Sequence, residues 1–196
     1  MYSNDDPIAI FLEWFDAAKR MIEPEPAAAI LATVSPSGLP TARVILVRHV
    51  DPRGFVFYTN LESPKARDLS GGAHGAALCF YWGPLLKQVR VEGRAQPVSP
   101  EEADAYWASR PRGHQVMGWA SPQSQPLPGG RSDIERRFTE LDRSLPATNV
   151  PRPPFWSGFR IVPETIEFWE GRENRLHHRV RFRRATSGWT REIIAP

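Results

Sequence analysis

What most limits the folds open to this chain is a succession of short segments with two-residue alternation, cut by turn sequences and never falling into a strand–helix–strand rhythm. Ala28 to Val34, Ala42 to Val50 and Phe55 to Thr59 carry apolar and β-branched residues at strand spacing. Ser35-Pro-Ser-Gly38 and Asp51-Pro-Arg-Gly54 are good turn sequences between them, so the three predict an antiparallel meander. Ala76 to Tyr81 and Leu86 to Pro97 follow, split at Gly83-Pro84. Beyond a proline-rich linker come Gly158 to Val162, Thr165 to Trp169, Leu176 to Arg183 and Trp189 to Ile194. Roughly nine strands at hairpin spacing predict a mainly β fold, an antiparallel barrel with helices attached.

The helices announce themselves by their starts. Asp6-Pro7 opens a stripe of Ile8, Phe11, Leu12, Phe15, Ala18 and Ile22 at helical spacing, predicting a helix over about residues 7–22. Ser63-Pro64 caps a short helix that stops at Gly71-Gly72. Ser99-Pro-Glu-Glu102 and Ser132-Asp-Ile-Glu135 are capping boxes, opening helices toward Ser109 and Ser144. A chain of 196 residues fits one domain, here residues 1–196 with a C-terminal segment from about 151. Its 20 prolines fall in clusters, which reads as rigid loops rather than disorder, and 41% hydrophobic residues supply a core.

Several function classes drop out. The lone Cys79 excludes an internal disulfide and a cysteine-based metal cluster, and no histidine has a partner at zinc-helix spacing. His49 and His74 read as turn or surface residues. With neither a leader nor an apolar run of membrane-spanning length, the expectation is a soluble cytoplasmic protein. A net charge of +3, with its basic residues spread along the chain, argues against nucleic acid. There is no Gly-x-Gly-x-x-Gly, no P-loop and no nucleophile elbow.

The polar residues that remain suggest an anionic, planar ligand. In Glu167-Phe-Trp-Glu-Gly-Arg-Glu-Asn-Arg-Leu-His-His-Arg179, an extended backbone after Gly171 would put Arg175, His177 and Arg179 on one face and Leu176 and His178 on the other. Guanidiniums bind phosphate with forked donors and stack on rings, and Trp169 would add an apolar wall. A solvated, arginine-rich edge strand would read the same way. Arg43-Val-Ile-Leu-Val-Arg48 places two arginines on opposite faces of a regular strand. Tyr58, Thr59 and Lys65 lie near a helix start, a natural phosphate site. Gln88, Gln123 and Ser124 suit the edge of a heterocycle or simple loop solvation, and Tyr106 and Arg110 share a helix face ahead of His114, a second anion site or a surface pair.

These fragments together resemble the pyridoxamine 5′-phosphate oxidase family, flavoproteins of the FMN-binding split-barrel fold. The resemblance runs nearly end to end, through Leu31-Ala-Thr-Val34, Arg43-Val-Ile-Leu-Val, Phe55-Val-Phe-Tyr-Thr-Asn60, Gln88-Val-Arg90, Ser109-Arg-Pro-Arg112, Trp119-Ala-Ser-Pro-Gln-Ser124 and Glu167-Phe-Trp-x-Gly with Arg175-Leu-His177 and Arg179. It implies an antiparallel split β-barrel acting as a homodimer. FMN would be held by Arg43, Val44, Ile45, Leu46, Val47, Arg48, Tyr58, Thr59, Lys65, Gln88, Gln123, Ser124, Trp169 and Arg179. The phosphate of a B6 vitamer would meet Arg48, Tyr106, Arg110 and His114, and its ring and amine side would face Arg175, Leu176 and His177, with Arg175 and His177 catalytic.

In such enzymes the C4′ hydrogen leaves as hydride to flavin N5, the imine is hydrolysed to pyridoxal 5′-phosphate, and O2 reoxidises the flavin to give H2O2. The sequence departs from the family at Arg48 (usually lysine), Pro64 (often arginine), His114 (serine) and His178 (aspartate), and the family's N-terminal Arg-x-x-Tyr lid is expected to be missing. Two other readings follow from those departures: a same-fold FMN oxidase of the phenazine-biosynthesis type, and a flavin-binding protein without efficient turnover.

Overall fold

The computed structural model describes residues 5–71 and 75–196. Gly72, in the expected helix stop, and His74 lie outside the described residues. The chain divides into two compact units. The first comprises Met1–Phe57, Asp68–Gln96 and Arg160–Pro196, the second Tyr58–Arg67 and Pro97–Phe159.

The first unit is built on an antiparallel sheet. Its strands are β1 (Ala28–Val34), β2 (Pro40–Leu46), β3 (His49–Asp51), β4 (Gly54–Asn60), β5 (Gly75–Trp82), β6 (Lys87–Pro97), β7 (Trp156–Glu170), β8 (His178–Arg184) and β9 (Trp189–Ile193). The hydrogen-bonded order is β2-β1-β5-β6-β7-β4-β3, with β8 on β7 and β9 on β8. β2 and β3 stand at opposite ends of that path, yet only Val47 and Arg48 separate them. A sheet whose two ends are bridged so briefly has to curl round on itself. Val47 N donates to Ala27 O at 3.0 Å and Arg48 N to Val56 O at 2.8 Å, so the bridging residues belong to opposite edges. The result is a split barrel.

Alternation along the strands fills its interior with Leu31, Phe55, Phe57, Leu78, Phe80, Val89, Val91, Ile161, Ile166, Phe168 and Phe182, all buried. Helix α1 (Pro7–Met21) packs on this core. Asp6 caps it, accepting from Ile8 N at 2.9 Å, with Pro7 in its first turn. The buried stripe is Ile8, Ile10, Phe11, Trp14 and Ala18; Leu12, expected inside, is exposed, because Trp14 takes its place against Phe168, ring centroids 5.2 Å apart.

Two strands expected on either side of Pro163 are one, β7. The strand carries a proline because its neighbours are glycines there. A Cβ on Gly93 would lie 2.0 Å from Val162 O, and one on Gly54, at φ +136°, 2.1 Å from Ile161 O. The expected single strand from Ala42 to Val50 is two, because Val47 and Arg48 pass from the β1 side of the sheet to the β4 side.

The second unit holds α3 (Pro100–Ser109), α4 (Arg112–Ala120), α5 (Arg131–Ser144) and the start of α2 (Pro64–Ser70) around Trp107, Val150 and Trp156. The Ser99–Glu102 capping box forms as expected. That of Ser132 does not: α5 begins from Gly130 at φ +69°, and Ser132 Oγ donates to Gly129 O instead. Ser63 stands at the start of α2, its carbonyl accepting from Arg67 N at 3.1 Å, while its Oγ donates to Asn60 O. No helix among the described residues is long and apolar enough to cross a membrane.

Candidate functional site

In the second unit, three of the singled-out residues meet through hydrogen bonds. β4 ends in Tyr58, Thr59 and Asn60, and the turn that follows brings Lys65, in the first turn of α2, back beside Thr59. Lys65 Nζ donates to Thr59 Oγ1 (3.1 Å), Ser63 Oγ (3.1 Å) and Gln123 Oε1 (2.9 Å), and Thr59 Oγ1 donates to the same Gln123 oxygen at 3.1 Å. These three acceptors are neutral oxygens that orient the ammonium. Ser124, exposed, has φ +65°.

The same unit carries a shelf of rings. Tyr106 stacks on Tyr58 (centroids 4.0 Å, planes 9° apart), and Trp156 lies parallel to both. The Arg110 guanidinium sits 4.8 Å from the Trp156 ring centroid and 5.1 Å from that of Trp107. Trp107 is itself fixed by its indole N–H to Val150 O at 2.7 Å. Tyr106 and Arg110 therefore belong to one aromatic cluster, whereas His114 is exposed on α4.

In the first unit, Arg43 on β2 is held by small oxygens. Its Nη1 donates to Thr33 Oγ1 at 2.7 Å and Leu31 O at 3.3 Å, and its Nη2 to Thr41 Oγ1 at 2.6 Å. The buried Asp68 lies 3.9 Å away and accepts from Thr33 at 2.7 Å. Burial pushes the Arg43 pKa down and Asp68 partly restores it; a guanidinium stays charged throughout. Of the segment after it, Val44 is exposed, Ile45 and Leu46 half-buried and Val47 buried. Arg48 pairs with Glu25 at 3.7 Å, so the two arginines of this stretch have separate surroundings.

On the polar face of the sheet, Gln88 is half-buried on β6 and Trp169 on β7. Trp169 pairs in register with Arg179 on β8. Arg179 and Arg181 share a face, with Val180 and Phe182 buried on the other. The expected alternation stops there. Glu173–Arg175 is a 3-10 turn, Asn174 and Arg175 have φ +55° and +59°, and β8 begins only at His178.

Arg175 and Leu176 are exposed at this turn, and among the described residues no hydrogen bond or ion pair engages the Arg175 side chain. His177 comes back to Trp169, ring centroids 4.7 Å apart, and its Nδ1 accepts from Arg172 N at 3.2 Å. With Nδ1 accepting, the neutral ring carries its proton on Nε2 and presents a donor.

Sequence reasoning missed the supports. Thr33, Thr41 and Asp68 behind Arg43 are visible only once β1 is paired with β2, which sets Thr33 opposite Thr41. Trp107 under Arg110 was within reach, since three residues along a helix are neighbours.

The pyridoxamine 5′-phosphate oxidase family model matches residues 15–143, and the pyridoxine 5′-phosphate oxidase C-terminal dimerisation region matches residues 156–196. The chain is 50% identical over 194 residues to a pyridoxine/pyridoxamine 5′-phosphate oxidase of Rubrobacter xylanophilus, covering 99% of this chain and 88% of that protein. It is 51% identical over 191 residues to one of Myxococcus xanthus, covering 97% and 92%. Among solved structures, PhzG from Burkholderia lata, in complex with tetrahydrophenazine-1-carboxylic acid, superposes with a TM-score of 0.91 at 32% identity over 99% of this chain and 94% of that one.

Proposed function

Because the chain belongs to the pyridoxamine 5′-phosphate oxidase family, we propose that it is an FMN-dependent homodimeric oxidase converting pyridoxamine or pyridoxine 5′-phosphate to pyridoxal 5′-phosphate. What supports this most is the similarity, at about half identity over nearly the whole chain, to proteins of that name. The donor set fits the cofactor. In the second unit Lys65, among neutral oxygens, has the chemistry to hold a phosphate and the Gln123 amide that to meet a heterocycle edge; in the first, Arg43 among hydroxyls suits a phosphate, and the Gln88 amide and the Trp169 ring suit a flat heterocycle. Homodimerisation has support from Ile30 and Val44, paired in register and 46% and 66% exposed, which form an apolar outer face.

When bound, FMN supplies the acceptor for the C4′ hydride and passes the electron pair to O2, which leaves as H2O2. The chain's own work is positioning. Arg110, steadied on its aromatic shelf, meets the substrate phosphate with a forked donor pair, and the Tyr106 hydroxyl adds to it. Arg175 and His177 face the ring and amine side, where His177 presents its Nε2 proton as a donor. Water then hydrolyses the oxidised amine to aldehyde and ammonia.

A second reading is favoured by one observation, the close superposition on PhzG at 32% identity: an oxidase of a reduced tricyclic acid. Turnover separates them. The purified protein is incubated in air with pyridoxamine 5′-phosphate, or with a reduced phenazine carboxylic acid, while aldehyde, peroxide and released flavin are measured. One peroxide per aldehyde and FMN on denaturation are expected; FAD, or oxidation of the tricyclic acid alone, would overturn the assignment.

A further inference from the structure

Glu167 is buried in β7, at 6% exposure, on the strand face it shares with Trp169. A buried carboxylate is unfavourable unless it is paired, and this one is paired twice. Its Oε1 accepts from Arg179 Nε at 2.9 Å and lies 2.8 Å from Arg179 Nη2; its Oε2 is 3.5 Å from Arg90 Nη1. Arg179 Nη1 donates in turn to Ala195 O at 2.8 Å. Of the guanidinium's donors, the Nε edge is thus taken by Glu167 and one Nη1 proton by the backbone. Among the described residues no acceptor engages the second N–H of either terminal nitrogen, and the guanidinium plane is set by Glu167 and Ala195.

We propose that Glu167 is a positioning residue for the cofactor, setting the Arg179 guanidinium so that its remaining donors face the flavin. The inference rests on the reading of Arg179 as a flavin-side residue. The long side chain's rotamer freedom is already lost to Glu167 and Ala195, so flavin binding does not have to bear it. A merely structural Glu167, there to neutralise Arg90 and Arg179, would stabilise the sheet equally but would not act on the flavin through Arg179.

The test is a double-mutant cycle on apoprotein, titrated with FMN by flavin fluorescence and checked by thermal melting. Glu167→Gln keeps the volume and removes the charge. It is expected to weaken FMN binding about tenfold, as a lost charge-assisted contact does. Arg179→Ala should weaken it at least as much, and the double variant no further than Arg179→Ala alone, to within about twofold, because both act through the same guanidinium. Should Glu167→Gln not fold, Glu167→Asp, which retains the charge but withdraws it by one methylene, is read in the same way. If the Glu167 variant binds FMN like the parent while Arg179→Ala does not, or if the two losses multiply, the positioning role is overturned and the flavin-side reading stands. If Arg179→Ala itself binds FMN normally, that reading falls and takes the inference with it.

Discussion

Arg175→Ala is expected to keep its flavin and its fold and to lose turnover of pyridoxamine 5′-phosphate by roughly a hundredfold in kcat/KM. Charge-assisted hydrogen bonds are worth about 1.5–3 kcal/mol, or roughly ten- to a hundredfold, and an arginine facing the reacting side of a substrate sits at the upper end. The structural reason lies in the backbone. Arg175 adopts φ +59° right after Asn174 at +55°, a conformation that disfavours a side chain with a Cβ, and its guanidinium makes no ion pair among the described residues.

Under the proposed function, that exposed guanidinium is the group that meets the substrate. Arg175→Gly sharpens the test, since glycine relieves the left-handed strain: the variant should melt no lower than the parent and still be inactive. Steady-state kinetics and a thermal melt on both variants decide it. Normal turnover by either would remove Arg175 from the site, and a lowered melting point in Arg175→Gly would make its role structural.

Lys65→Ala should lose most of its FMN. The ammonium donates to Thr59, Ser63 and Gln123, three neutral oxygens that orient it. Under the proposed function, removing it takes away a charge-assisted contact to the FMN phosphate and leaves those three oxygens without their donor. The dissociation constant for FMN is expected to rise about a hundredfold. Activity should return as FMN is added in excess, which separates lost binding from lost chemistry. Lys65→Arg should fall between, because its planar fork cannot place one nitrogen against all three acceptors. Fluorescence titration of the apoproteins measures this; an unchanged constant in Lys65→Ala would move the phosphate site elsewhere.

How far the sequence carried depends on whether the local signal was also the one that decided the structure. β1 was legible to the residue because its alternation ends at a clear turn. β7 was read as two strands because Pro163 looks like a break; what tolerates it is Gly54 and Gly93, remote in sequence. Helix α4 went unread because Pro111 reads as the end of a helix in a loop, whereas it stands at the start of the next one. Gly113 and Gly118 look like breakers, but a Cβ at Gly118 would lie 2.6 Å from the Trp107 ring, so that glycine is there for packing.

At the candidate site the residue types were legible and their arrangement only in part. Lys65, Thr59 and Gln123 are joined by hydrogen bonds, and Tyr106 and Arg110 both lie against Trp156. The alternation through Arg175 failed because Asn174, a residue that tolerates the left-handed region, marks a turn where extension was assumed.

The most direct measurement is a single turnover without air. Flavin-loaded protein is mixed anaerobically with excess pyridoxamine 5′-phosphate, the yellow absorbance is followed, and O2 is then admitted. The account predicts that the flavin bleaches in one phase, that one pyridoxal 5′-phosphate forms per flavin, and that colour returns with one peroxide released. Flavin that stays yellow with this substrate, yet bleaches with a reduced phenazine carboxylic acid, would contradict it.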